Sequence, residues 1–255
     1  MAKTRTLATF AIALAGVLLM GVAATPALAD NDKTPPGNPC GGGPGKGTGN
    51  PCNGNNGNDG AQGNAKSGGG GGPFEPIALP DAQDRGVFIS QIGNTNRAEV
   101  RQATGASYAR VAQSGSDNGA LLTQDGTGRH YATIAQDGDG NALDGGQDGS
   151  GQTVLLLAQQ GEGNAAIIRQ TDNGSDYSAA AVAQSGSGNQ LVLVQDGSDN
   201  QARLTQDGND NAMTATQLGG GNRLEWAQNG NGLADLQITQ DGGAIMQVTQ
   251  SNTGG

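Results

Sequence analysis

Residues 189–197 read Asn189-Gln190-Leu191-Val192-Leu193-Val194-Gln195-Asp196-Gly197, and this stretch decides the fold. Its side chains alternate with a period of two, the spacing of an extended strand. One face carries Asn189, Leu191, Leu193 and Gln195. The stretch closes on Asp and Gly, which suit a tight reversal, Gly because it tolerates positive φ at no steric cost. An amide therefore stands at each end of an apolar face, at a place where a globular core would put Leu. Asn96 to Gln102 repeats the design, with Asn96, Ala98, Val100 and Gln102 on one face.

The unit recurs from residue 85 onward. Gln falls at Gln91, Gln102, Gln113, Gln124, Gln136, Gln147, Gln159, Gln170, Gln184, Gln195, Gln206, Gln217, Gln228 and Gln240. The interval is 11 residues, with slips of one at 136, 159 and 240 and of three before 184. Two places after twelve of these Gln comes a Gly: Gly93, Gly115, Gly126, Gly138, Gly149, Gly161, Gly186, Gly197, Gly208, Gly219, Gly230 and Gly242. Thr104 and Asp172 take that place in the other two. Five residues after every second Gln stands an Asn, at Asn96, Asn118, Asn141, Asn164, Asn189 and Asn211, failing at Leu233. The alternate series has Asn only at Asn200 and Asn222, so the full unit is about 22 residues in two unlike halves.

Each half is a strand of about seven residues and a turn of about four. Two strands per unit, repeated, predict an all-β chain: a β-solenoid of about seven 22-residue strand-turn-strand coils over 85–255, with two facing parallel sheets. Coils spaced about 4.8 Å apart would make a rod of roughly 34 Å. Buried amides are costly unless paired, and identical amides in register pair with their copies above and below. The ladder thus replaces a large aliphatic core. Such a rod ends in unpaired backbone and unpaired Gln and Asn, a template for another identical chain. No dissimilar cap stands out in the sequence, and the pattern runs on through Ile245, Val248 and Gln250. By parity Trp226 points inward, and its large ring is expected to strain or end regular stacking.

Composition agrees. Of 255 residues 47 are Gly, 34% are apolar and 3% aromatic, which excludes a large aliphatic core. A single His excludes chemistry that needs several imidazoles. A net charge of −10 argues against nucleic acid and anionic membrane as partners, since both demand clustered Lys and Arg.

Residues 1–29 read as a secretory signal: Lys3 and Arg5, an apolar run from Leu7 to Ala24, Pro26, and the small-x-small site Ala27-Leu28-Ala29. The run ends in Pro and a small-residue site rather than a charged stop, which favours cleavage over a retained anchor. The mature chain then starts at Asp30 and acts outside the cytoplasmic membrane. Residues 30–80 form a Gly/Asn/Pro-rich segment, whose bulk is too poor in apolar side chains to offset its conformational entropy, and it is expected to be disordered. It holds Cys40 and Cys52, each in a GNPC sequence. In an oxidising compartment they could close a short loop, or stay as two free thiols. The stretch GGGPGKGTG faintly resembles a phosphate-binding loop, but Gly47 follows Lys46 where Ser or Thr is needed, and no strand or helix flanks it.

The pattern S-x5-Q-x-G-x-x-N-x5-Q resembles the curlin repeat of bacterial curli fibre subunits. Ser107, Gln113, Gly115, Asn118 and Gln124 fit in full, as do Ser178, Gln184, Gly186, Asn189 and Gln195. Thr153, Asn200, His130 and Arg85 take the Ser place in four other units. The resemblance implies a secreted functional amyloid, a fimbrium-like fibre at the bacterial cell surface that serves biofilm and cell adhesion. It implies as partners the chain itself, a related nucleator or major subunit, and a curli-type outer-membrane export channel. The long segment with two Cys, Leu233 and Trp226 depart from the family pattern.

Two other classes compete. An enzyme on a parallel β-helix would need carboxylates of unlike environment in a cleft, whereas Asp here recurs at turns on an outer edge, as solvated charge that limits premature aggregation. His130 aligns with the Ser/Asn positions and reads as a structural polar residue. No catalytic residue, cofactor or dedicated metal site is expected. The alternative is a monomeric adhesin that binds calcium or a surface. DGDGN (137–141), DGSDN (196–200) and DGNDN (207–211) crowd oxygen ligands at stacked turns, without the nine-residue order of calcium-binding solenoids. Outward Phe88, Tyr108 and Tyr131 read as too scattered for a flat binding face, though they could aid adhesion.

Overall fold

The computed structural model describes residues 74–80, 85–103 and 105–252. The predicted signal, the Gly/Asn/Pro-rich segment as far as residue 73, and both Cys lie outside these residues. The described part is all strand and turn. β1 (Gly86–Ile92), β3 (Tyr108–Ser114), β5 (His130–Asp137), β7 (Gln152–Glu162), β9 (Tyr177–Ser187), β11 (Gln201–Asp207), β13 (Arg223–Asn229) and β15 (Ile245–Ser251) form an eight-stranded first sheet. β2 (Arg97–Gln102), β4 (Gly119–Gln124), β6 (Ala142–Asp148), β8 (Ala165–Thr171), β10 (Gln190–Asp196), β12 (Ala212–Leu218) and β14 (Ile238–Asp241) form a seven-stranded second sheet. Consecutive strands alternate between sheets, and every neighbouring pair is parallel and in register, as Gln113 against Gln136 and Gln159 against Gln184. This is the β-solenoid the two-residue alternation predicts.

Alternation sets which side chains go in. In β10 Leu191, Leu193 and Gln195 are buried, while Gln190 and Asp196 are exposed. The core between the sheets is narrow and continuous, built of Ala, Val, Leu and Ile with Met213 and Trp226. Its width suits small aliphatics, which is why so low an apolar content suffices.

The turns explain the Gly positions. All twelve turn Gly have positive φ, from 63° at Gly242 to 134° at Gly230. At Gly186 space is a second constraint: a Cβ there would lie 2.0 Å from the carbonyl oxygen of Gly208 in the next coil. The three-residue slip before Gln184 is taken up between β8 and β9. There buried Asp172 accepts the Gly174 N–H at 2.9 Å and the Ser178 hydroxyl at 2.7 Å. The strands on either side keep register because the extra length bulges at the turn.

Three expectations need correction. Trp226 does not end the stack. Its ring is fully buried, β15 pairs in register with β13 beyond it, and its Nε1–H donates to Gln250 Oε1 at 2.9 Å. The irregularity falls on the following strand instead: β14 has only four residues. Asp235 there caps Thr214, accepting its N–H at 2.8 Å and its hydroxyl at 2.6 Å. Secondly, Phe88, Tyr108 and Tyr131 are not scattered. Their rings form one run, with centroids 5.6 and 4.8 Å apart, because residues about one unit apart land on adjacent strands. Thirdly, a disordered segment reaching residue 80 is too long. Phe74–Pro80 lies on the outer face of the first sheet, with Ile77 4% exposed against Val154 and Ala179. Unlike the Gly/Asn tract before it, FEPIALP supplies apolar side chains for that contact.

Candidate functional site

The candidate site is the set of stacked amides and the two ends they reach. In the first sheet each Gln Nε2 donates to the Oε1 of the Gln one coil onward. The chain of bonds runs Gln91, Gln113, Gln136, Gln159, Gln184, Gln206, Gln228 and Gln250, at 2.6 to 2.9 Å. In the second it runs Gln102, Gln124, Gln147, Gln170, Gln195, Gln217 and Gln240, at 2.7 to 3.1 Å. The other hydrogen of most of these amides goes to a backbone carbonyl, as from Gln195 to Ala179 at 3.1 Å. Among the described residues a single buried side-chain polar atom, Gln152 Oε1, lacks a partner. The ladders are thus nearly fully satisfied, the condition under which buried amides stabilise rather than cost.

The Asn series forms a ladder of opposite polarity. Asn118, Asn141, Asn164, Asn189 and Asn211 each donate through Nδ2 to the Oδ1 of the preceding Asn, beginning with Asn96, at 2.9 to 3.1 Å. Each also donates onward to a turn carbonyl, as from Asn189 to Gly208 at 2.8 Å. Leu233 cannot continue the chain; only its backbone N–H reaches Asn211 Oδ1, at 2.9 Å.

On the other edge stands the column that the Ser place of the repeat pattern marks, continued by Asn222. Ser107, His130, Thr153, Ser178, Asn200 and Asn222 are all buried and stack on one another. Asn222 Nδ2 donates to Asn200 Oδ1 at 2.9 Å, so here too an amide ladder starts. His130 serves as an amide substitute. Its Nε2 lies 2.6 Å from the Asp125 carbonyl, which can only accept, so Nε2 carries the proton. Nδ1, 2.9 Å from Thr153 Oγ1, then accepts from that hydroxyl. Burial holds the imidazole below its ordinary pKa, opposed by its bond to the Asp125 carbonyl and by nearby Asp148, Asp125 and Asp172. The ring is neutral and structural. The signal for this column lay in the Ser place of the repeat pattern, which four different residue types occupy.

Both ends are open among the described residues. Inward-facing Val87 and Ile89 of β1 are 41% and 47% exposed, although their register partners Ala109 and Val111 are completely buried. At the far end Met246 of β15 is 39% exposed above buried Leu224. Charge marks the rim of the first end, where Glu99 on edge strand β2 lies 2.5 Å from Arg101 and 3.1 Å from Arg97. Those hydrogen bonds, Arg101 foremost, hold its carboxyl below the usual range. The Asp of the QDG turns are exposed, and among the described residues no group of three or more His, Cys, Asp or Glu is placed to hold a metal ion.

Comparison with known proteins agrees with this geometry. Searches of curated proteins and of solved structures return no match. A family model described as Curlin associated repeat matches residues 189–219. That span holds β10, β11 and β12 with Asn189, Gln195, Asn200, Gln206, Asn211 and Gln217, one full coil and half of the next. The chain therefore carries the curlin associated repeat at 189–219.

Proposed function

We propose that the chain is the structural subunit of a curli-like functional amyloid, secreted to the bacterial cell surface and polymerising end to end by templated β-stacking. The observation that carries this reading is the unroofed core: Val87 and Ile89 at one end and Met246 at the other are exposed, while equivalent side chains one coil inward are sealed. A second copy set on either end would bury that apolar surface at about 25 cal/mol per Å² and pair the edge backbone. The fibre would serve biofilm cohesion and adhesion. The partners are other copies of the chain, a related nucleating or major subunit, and an outer-membrane export channel. The signal at 1–29 supports export across the inner membrane. In this reading the site performs no catalysis; its chemistry is amide and backbone hydrogen bonding.

The test is to charge one end and leave the rest untouched. In the chain from residue 30 onward, Val87→Lys with Ile89→Lys should leave a folded solenoid by circular dichroism and abolish thioflavin-positive growth from that end. Elongation at the parent rate would reject end-to-end stacking.

A further inference from the structure

The outer face of the first sheet divides into a covered and an open part. Across the strands runs Phe74–Pro80, fixed by its backbone as well as its side chains. The Ile77 N–H donates to Gln201 Oε1 at 2.9 Å, and its carbonyl accepts from the Tyr177 hydroxyl at 2.7 Å. Further along, Arg203 donates to the Glu75 carbonyl at 3.3 Å, and Leu79 and Pro80 line one hollow with Tyr108 and Tyr131. The segment therefore passes from β3 to β11 along the rod axis. Five strands about 4.8 Å apart match six extended residues at about 3.3 Å each, so it lies straight.

Beneath it are outward side chains with no charge: Val154 and Ala179, fully buried by the strap, and half-buried Leu156 and Ala181. Beside it the sheet carries an outward column of small residues in register, Ala112, Ala135, Ala158, Ala183, Thr205 and Ala227. Flanking coils carry charge at the equivalent places, Arg110 on one side and Arg203 with Glu225 on the other. A flat sheet face of small apolar side chains is the surface on which a second sheet packs at about 10 Å. An extended chain lying on it holds any second sheet away from the Ala column.

We infer that this face is a latent side-by-side interface for a second copy of the chain, and that Phe74–Pro80 is the intramolecular strap that closes it. End-to-end growth is thereby left as the open route, and lateral pairing is suppressed until the strap lifts. The inference goes beyond the fibre reading and rests on the strap and the face it covers.

The experiment uses the exported full chain with Ile77→Asp, which places a carboxylate in the buried seat, and reads filament width by electron microscopy and association by sedimentation. The parent gives single filaments; Ile77→Asp gives lateral pairs about twofold wider at unchanged cross-β signal. Adding Ala183→Lys on the bare column returns the width to that of the parent. Tyr177→Phe, which removes a single hydroxyl, gives a mixture of widths and decides the matter should Ile77→Asp not fold. Equal widths and equal sedimentation for the parent and the folded strap variants overturn the inference, as does pairing that Ala183→Lys leaves intact. If the parent forms no filaments, the fibre reading fails by itself. Sedimentation then still decides the strap: pairing in Ile77→Asp that Ala183→Lys reverses supports it, and no pairing overturns it.

Discussion

The middle coils and the end coils carry the same pattern and differ only in their neighbours. Leu193 and Gln195 in β10 are sealed between β8 and β12, whereas Ile89 in β1 is 47% exposed and Gln91 beside it is exposed too. Nothing within one coil seals its own core. Burial comes from the coil above and the coil below, as in other repeat architectures, where stability is a sum of unit and nearest-neighbour terms. An end coil therefore lacks one neighbour, which in the proposed fibre a second copy of the chain supplies.

The largest expected difference lies at the turns. Gly186→Ala, in a middle coil, forces a Cβ against the Gly208 carbonyl at a φ of 104°. It should cost on the order of 3 kcal/mol or more and block fibre formation. Gly242→Ala, at the far end, meets nothing within 4 Å and carries only the penalty of its φ of 63°. That is about 1 kcal/mol. Denaturant midpoints of the two variants measure the gap, and equal values would break the comparison.

A smaller contrast concerns the ladder. Gln195→Ala removes bonds to Gln170, Gln217 and the Ala179 carbonyl. Each partner left unpaired costs about 1–3 kcal/mol, with incomplete additivity. Gln91→Ala loses one bond, to Gln113 at 2.6 Å, so its effect on the single molecule is slight. In fibres, where Gln91 would gain a second partner, the cost should rise. Thioflavin growth rates set against single-chain stability separate the two.

The smallest effect is acid sensitivity. Buried His130 is held below its ordinary pKa, so the unfolded chain takes up a proton that the folded chain resists. Stability is full above the free imidazole value of about 6.5 and declines as pH falls below it, by at most about 1.4 kcal/mol per pH unit. Glu99 at the end coil, stabilised as a carboxylate by Arg101 and Arg97, stays charged in that window. Melting curves from pH 7 to 5 should show the decline, and His130→Asn should flatten it. An unchanged slope in that variant would assign the sensitivity elsewhere.

Much of this was legible in the residues because the solenoid is a periodic object. The period-two alternation of 189–195 gave the strand, the 11-residue Gln spacing gave the half-coil, and the Asn at every second half gave the doubled unit. What escaped was whatever depends on register between coils rather than on order within one. Ser107, His130, Thr153 and Ser178 share the Ser place of the repeat pattern, but the amide ladder that Asn200 and Asn222 start in their column emerges only when the strands are stacked. Phe88, Tyr108 and Tyr131 form one aromatic run for the same reason. Trp226 was misjudged because its own strand keeps step, Nε1 reaching Gln250, while β14 absorbs the disturbance. Ile77 lies in a short apolar phrase at the end of a Gly-rich tract, and its partners Tyr177 and Gln201 are 100 and 124 residues away.

In the proposed fibre, amides and backbone continue their pairing from one copy into the next. Fibre diffraction on the purified chain from residue 30 onward tests it most directly. A fibre so built gives a reflection at about 4.8 Å along its axis, with the strands lying across that axis. A solution that stays monodisperse at high concentration, or fibres whose axial pattern lacks that spacing, would contradict it.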